Sequence, residues 1–492
     1  MTQARPVTRR QLLAGLVGVG AAAGLAGCGL GSRTSPVGLP EIYSAESARA
    51  RTGAIRNVSL RSREVEVDLG GTTVRTWAYG DTMPGAALRA TAGDRVKVAF
   101  TNDLPEATSV HWHGLAIRND MDGVPGLTTR EVAPGGTFGF DFVVPDAGTY
   151  WFHPHHGMQL DRGLYAPFII DDPAEPGAYD REWVIVLDDW TDGVGPSPEQ
   201  IYADLRAAGG SGGMGGMGGM GGMGGMGGMG GGDVAYPLYL VNGRTPTDPA
   251  VLSAKPGQRV RLRIINAGAD TIFDVALAGH QLRITHTDGY PVSPVTTPLL
   301  RIGMGERYDA VVTLSEGAFP LVAEPVGKSG LARALIRTGP GAAPAAGYRP
   351  DELDMSALTV DALRASQGAA LPASEPDTVA ELLLSGSMDR YVWTINGRTY
   401  DEVEPLTITQ GHTGRLLIRN RSMMPHPIHL HGHTMQLGPA GGSGPRKDTV
   451  VVPAMGSVDT DFVANNPGRW MLHCHNAYHA EAGMMTRLDY VT

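Results

Sequence analysis

The chain has 492 residues, enough for two to four domains with separate cores. Its 69 glycines and 35 prolines, with only 18% charged residues, suit a turn-rich β protein better than a helical one. The formal net charge is −10, and residues 1–27 hold three arginines and no acid, so a chain without them is more acidic still; this argues against nucleic-acid binding, where a basic face is expected.

Residues 1–44 read as a leader and linker that stay outside the fold. Arg9-Arg10 opens a twin-arginine signal, and the apolar run that follows is too short and glycine-rich for a membrane span. Such signals export folded, often cofactor-loaded proteins. Leu25-Ala26-Gly27-Cys28 resembles a lipoprotein cleavage box, with Cys28 as the lipidated residue; the other reading is a plain signal peptide with an incidental cysteine. The expected location is extracytoplasmic, anchored through Cys28 to the outer face of the cell membrane, in a periplasm or cell wall. Cys474 is the only other cysteine, so no structural disulfide is expected once Cys28 is acylated.

The remainder repeats itself. Gly93-Asp-Arg-Val-Lys-Val-Ala-Phe-Thr-Asn102 echoes Gly257-Gln-Arg-Val-Arg-Leu-Arg-Ile-Ile-Asn266 and Gly411-His-Thr-Gly-Arg-Leu-Leu-Ile-Arg-Asn420. Val96, Val98 and Phe100 alternate as strand residues do, and so do Val260, Leu262 and Ile264. Asn242-Gly243 and Asn396-Gly397, upstream of the second and third copies, signal hairpin turns. Three related β-sandwich domains are expected at 45–175, 176–345 and 376–492, an all-β chain.

Two segments interrupt the pattern. Residues 346–375, within an Ala/Pro/Gly-rich stretch that starts near 340, form a linker. Residues 209–232 are low complexity, with Met214, Met217, Met220, Met223, Met226 and Met229 separated by glycine pairs. Such a tract cannot bury a core. Its thioethers suit Cu(I); the competing reading is an insertion whose methionines are incidental.

Ten of the 15 histidines fall in four clusters: His111-Trp-His113, His153-Pro-His155, His426-Pro-Ile-His429-Leu-His431, and His473-Cys474-His475 with His479. An H-x-H pair on a strand points both imidazoles to one face. His111 and His429 each lie nine residues beyond the repeat asparagine, and His153 and His473 each lie five beyond a glycine. Domain 2 carries Val275, Leu277, Val322 and Glu324 at the corresponding offsets. The expectation is one multinuclear cluster gripped between domains 1 and 3, with domain 2 as a spacer. Cys474, His426 and His479, with Met484 as a soft axial donor, describe a separate His2Cys electron-transfer site. Cys474 alternates with His473 and His475, so its sulfur faces away from theirs and one tripeptide joins the two sites.

With these motifs the sequence resembles three-domain multicopper oxidases, the group of laccases and bacterial cuprous oxidases, over residues 45–492. The resemblance implies three cupredoxin-like Greek-key β-sandwich domains and four copper ions. It assigns type 2 copper to His111 and His429, and one type 3 copper each to His113, His153, His475 and to His155, His431, His473. Type 1 copper goes to Cys474, His426, His479 and Met484, chosen over Met485 by the family's spacing. It gives Asp122 a proton-delivery role at the cluster, against the alternative of an aspartate in a turn. The family's second relay acid follows the type 1 histidine, but Ala480 stands there, and Glu481, one later, is the substitute candidate. Histidines 156, 280, 286, 412 and 433 are read as structural.

The implied reaction is one-electron oxidation of a small reductant coupled to four-electron reduction of dioxygen to water. The methionine tract favours Cu(I) as donor and a role in copper tolerance; phenols or aromatic amines are the laccase-like alternative. A non-enzymatic copper-binding envelope protein is the third reading, disfavoured because such a scaffold is expected to lose cluster ligands. Oligomeric state is not legible in the sequence.

Overall fold

Alternation makes strands of the three repeated segments, Arg95–Asn102, Arg259–Asn266 and Thr413–Asn420. Each lies parallel to an earlier strand (Ile55–Asp68, Arg181–Trp190, Thr378–Ser387) and antiparallel to a later one (Thr137–Val143, Arg307–Thr313, Ser457–Val463). A second sheet accompanies each of these, giving pairs of four and four, six and five, and six and five strands. The computed structural model describes residues 35–175, 179–210 and 231–492. The leader, Cys28 and Met214 to Met229 lie outside the described residues. No helix among those described is long and apolar enough to cross a membrane.

The repeat asparagine has a physical purpose. Asn102, Asn266 and Asn420 are buried, and each caps its strand and pins the loop that follows. Asn420 Nδ2 donates to the Met424 and Pro453 carbonyls at 2.7 and 2.9 Å, and its Oδ1 accepts from the Ser422 N–H at 2.8 Å. Asn102 and Asn266 repeat this on the Glu106 and Val132, and the Thr271 and Ile302, carbonyls. Three hydrogen bonds from one buried side chain fix where the next strand, with its histidines, begins. The Asn-Gly pairs form tight turns with both residues left-handed: φ is 51° and 73° at Asn242 and Gly243, 55° and 73° at Asn396 and Gly397.

Domain 1 packs its sheets around Trp112, Phe140, Phe152 and Phe168, whereas the cores of domains 2 and 3 run together. The linker is not slack. Leu353, Leu358 and Leu363 are buried, and Leu358 exchanges backbone hydrogen bonds with the strand end at Leu299 and Arg301.

Candidate metal centre

The histidine strands pair across each outer domain. His111 sits opposite His153, and His429 opposite His473, so each pair shares one register position. Only part of the expected strand geometry holds: His155, His431 and His475 lie just past the ends of the strands Gly148–His153, His426–Leu430 and Arg469–Cys474. The outer domains still bring all eight rings together. The Nε2 atoms of His155 and His431 lie 3.4 and 3.1 Å from that of His473. The ring centroids of His113, His153 and His475 are 4.8–5.6 Å apart, and His111 and His429 are 5.8 Å apart.

What turns these rings inward is a set of acceptors behind them. Nδ1 of His111, His153, His429 and His473 faces the carbonyl of Asp122, Pro154, Asp448 and Cys474, at 2.8–2.9 Å. A carbonyl only accepts, so Nδ1 carries the proton and Nε2 keeps its lone pair for the centre. His113 is reversed: its Nε2 lies 3.1 Å from Asp448 Oδ1, leaving Nδ1 inward. The inward nitrogens of His111, His113, His153 and His429, and both of His475, are buried without a hydrogen-bond partner among the described residues. Orphaned lone pairs converging from three sides are a poor arrangement for a core and a fitting one for metal ions. Burial, followed by neighbouring imidazoles, holds His153, His155, His431, His473 and His475 well below the ordinary histidine value, in the neutral form a metal needs.

The second site is equally closed. Cys474 Sγ is 3.7 Å from His426 Nδ1 and 3.8 Å from His479 Nδ1, and those nitrogens are 3.1 Å apart. Behind them, His426 Nε2 meets Ser422 Oγ at 2.7 Å and His479 Nε2 meets Asp233 Oδ2 at 3.0 Å. Asn476 caps the short helix Ala477–Glu481, accepting from the Tyr478 and His479 N–H groups, and so aims His479. Met484 is fully buried, and its backbone bonds both to the Cys474 N–H and to the His479 carbonyl. Burial alone would lower His479, but Asp233 and Cys474 raise it to about 10, so a metal there displaces a proton.

The acids fall in different places. Asp122 is buried with Oδ2 3.0 Å from His431 Nδ1, and its Oδ1 has no hydrogen-bond partner among the described residues. Glu481 lines a cavity of about 180 Å³ with His153, His155, His473 and His475, and burial raises its carboxyl. His156, read from sequence as structural, lines the same cavity. Sequence reasoning missed Asp448 and Asp233, which stand behind ligands. It also missed how closely domain 2 approaches: at Gly305 (φ 82°) a Cβ would stand 2.8 Å from His475 and 3.1 Å from His113. The middle domain is a wall of the site as well as a spacer.

Comparison with known proteins agrees with this architecture. Models of the multicopper oxidase family match residues 62–175, 181–341 and 374–491. The multicopper oxidase MmcO of Mycobacterium tuberculosis is 49% identical over 98% of this chain and 97% of its own length. Copper resistance protein A of Escherichia coli is 28% identical over 97% and 98%. The laccase of Botrytis aclada superposes with a TM-score of 0.74 at 26% identity, covering 90% of this chain and 89% of that one. The chain belongs to the multicopper oxidase family. It is accordingly an oxidoreductase with copper as its cofactor, built from three cupredoxin-like domains.

Proposed function

We propose that this chain oxidises cuprous ion, one electron at a time, and couples four such steps to reduction of dioxygen to two waters. Four Cu(I) ions and four protons are consumed per dioxygen. The observation that carries the reading is Cys474: its sulfur faces His426 and His479, while His473 and His475 on either side face the eight-imidazole cluster. Four copper ions suit these donors, with type 1 at Cys474, His426, His479 and Met484 and type 2 at His111 and His429. The type 3 pair falls to His113, His153, His475 and to His155, His431, His473. Bound copper supplies reversible one-electron storage and a Lewis-acid surface for dioxygen. The protein supplies a short covalent path from the thiolate to the cluster imidazoles. Trp393 and Trp151 pack against the two sites and exclude water. Asp122 behind His431 and Glu481 in the cavity would hand over protons in this reading.

Cuprous ion as donor is supported by what covers His479. Both type 1 imidazoles are fully buried, and the group on the outer edge of His479 is a carboxylate, Asp233, which also accepts from Tyr391 OH at 2.8 Å. Asp233 follows the glycine-methionine tract directly, and Tyr202, in the helix before the tract, bonds to the Glu481 carbonyl. The described chain on either side of the tract, at Tyr202 and at Asp233, thus touches the helix that carries His479, which supports thioethers of the tract concentrating Cu(I) nearby. Exposed Met423, three residues before His426, adds another soft donor nearby. The twin-arginine sequence and Cys28 support a reading of this activity as extracytoplasmic and lipid-anchored, consistent with copper tolerance.

A phenolic or aromatic amine donor is the second reading, favoured by one feature. A cavity of about 420 Å³ lined by Ile272, Val326, Val360, Val451, Pro453 and Pro425 opens beside the residue preceding His426. Oxygen uptake with Cu(I) and with a phenol, in the intact protein and after removal of residues 211–232, separates the two. Loss of cuprous oxidation alone supports the first reading; unchanged cuprous oxidation with a faster phenol rate overturns it.

A further inference from the structure

The middle domain contributes no histidine to the cluster, yet one of its arginines ends directly behind it. Arg307 is fully buried and grips Asp448 with two parallel hydrogen bonds, Nη1 to Oδ1 at 2.7 Å and Nη2 to Oδ2 at 2.6 Å. Its Nε donates to the Thr149 carbonyl at 3.0 Å and its Nη1 also reaches the Gly305 carbonyl at 3.2 Å. Its own N–H donates to Asp288, which receives the Asp448 and Thr449 N–H groups as well. One guanidinium thus touches domains 1, 2 and 3.

Asp448 does more than answer the arginine. Its Oδ1 lies 3.1 Å from His113 Nε2, and its backbone carbonyl accepts from His429 Nδ1 at 2.9 Å. Those two rings, from opposite outer domains, stack at 3.9 Å with planes 12° apart. The chain is shaped to admit the pair. The residue after His113 is Gly114 (φ 83°), where a Cβ would fall 2.5 Å from Asp448 Oδ2 and against Arg307 Nη2.

We propose that Arg307 is a positioning residue for the trinuclear copper cluster. By holding the Asp448 carboxylate in one orientation, it fixes His113 in the reversed pose, Nε2 outward and Nδ1 inward. Without the guanidinium, Asp448 is a buried carboxylate that has lost both bonds of the fork holding it, and it is free to turn. His113 Nε2 then loses its charged acceptor and keeps only the Thr449 hydroxyl, 3.1 Å away and itself oriented by Asp448 Oδ1, so its tautomer and ring orientation are no longer fixed. The type 1 ligands, all from domain 3, have no contact with Arg307, so the effect is confined to one of the two sites. The proposal rests on the copper reading of the cluster given above.

The test uses the copper-loaded protein with Arg307→Lys, which keeps the charge but not the fork, and Arg307→Met, which keeps only the bulk. Copper per chain, the blue absorption of type 1, the type 2 EPR signal and the near-ultraviolet type 3 band are measured on each. Both variants are expected to keep the blue absorption and one copper, and to lose most of the type 2 and type 3 signals, with lysine no better than a partial rescue. Full type 2 and type 3 signals in the methionine variant would overturn the proposal. So would loss of the blue absorption along with the rest in both variants, because Arg307 would then serve folding in general. A wild-type protein that takes up no copper would instead sink the underlying reading.

Discussion

Replacing Gly305 by alanine tests whether domain 2 really walls the cluster. The added Cβ would lie 2.8 Å from His475 Cδ2 and 3.1 Å from His113 Cε1. Carbon atoms rest at about 3.5 Å or more, so His475 must yield by roughly 0.7 Å. That exceeds the tolerance of about 0.5 Å within which a metal constellation keeps its geometry. The φ of 82° adds about 1–2 kcal/mol for a residue with a Cβ, and overpacking about 1–3 kcal/mol more. Gly305→Ala is expected to lower the unfolding midpoint of the metal-free protein and to reduce type 3 absorption in the loaded one, while the blue band persists. Copper content and thermal unfolding, measured on the same preparations, read both effects. An alanine variant with an unchanged midpoint and a full type 3 band would refute the close approach of domain 2.

Three further outcomes follow from the same geometry. Asp233→Asn weakens the hydrogen bond behind His479 and removes the carboxylate from the donor side, so kcat/KM for Cu(I) is expected to fall tenfold or more, about 1.4 kcal/mol, with a smaller change for phenols; steady-state kinetics with both donors checks it. Asn420→Ala deletes the part-buried hydrogen bonds of its side chain to Met424, Pro453 and Ser422 and loosens the loop before His426, costing about 2–4 kcal/mol at roughly 1 kcal/mol each. Chemical denaturation of the metal-free chain would show it, and an unchanged midpoint would contradict the pinning role. Asp122→Asn keeps the shape behind His431 but not the charge, and is expected to slow reoxidation by dioxygen about a hundredfold. Stopped-flow mixing of the reduced protein with oxygen measures that step apart from reduction by the donor.

The fold and the candidate ligands were legible for a covalent reason. Strand periodicity places alternate residues on one face, so His111 with His113 declare their directions in three letters; His475 lies just past its strand and turns to the cluster all the same. The repeat asparagines declared the register between domains, and their buried side chains show why that position does not vary among the three copies. The groups behind the ligands were not legible. Asp448 lies 335 residues from His113, and Arg307 belongs to a domain whose own histidine positions hold Val275 and Val322. No local pattern marks either, because their meeting is made by domain packing alone. Asp233 had a weak signal, as the first charged residue after the methionine tract. His156 had none beyond its place next to His155.

The central claim is that imidazoles from the outer domains and one thiolate bind copper in two linked sites. The most direct measurement is copper content with EPR on the purified, copper-saturated protein and its Cys474→Ser variant. The account predicts four coppers and a blue type 1 signal in the first, and three coppers, no blue absorption and a surviving type 2 signal in the second. A variant that remained blue, or a wild-type protein that stayed colourless and bound no stoichiometric copper, would contradict it.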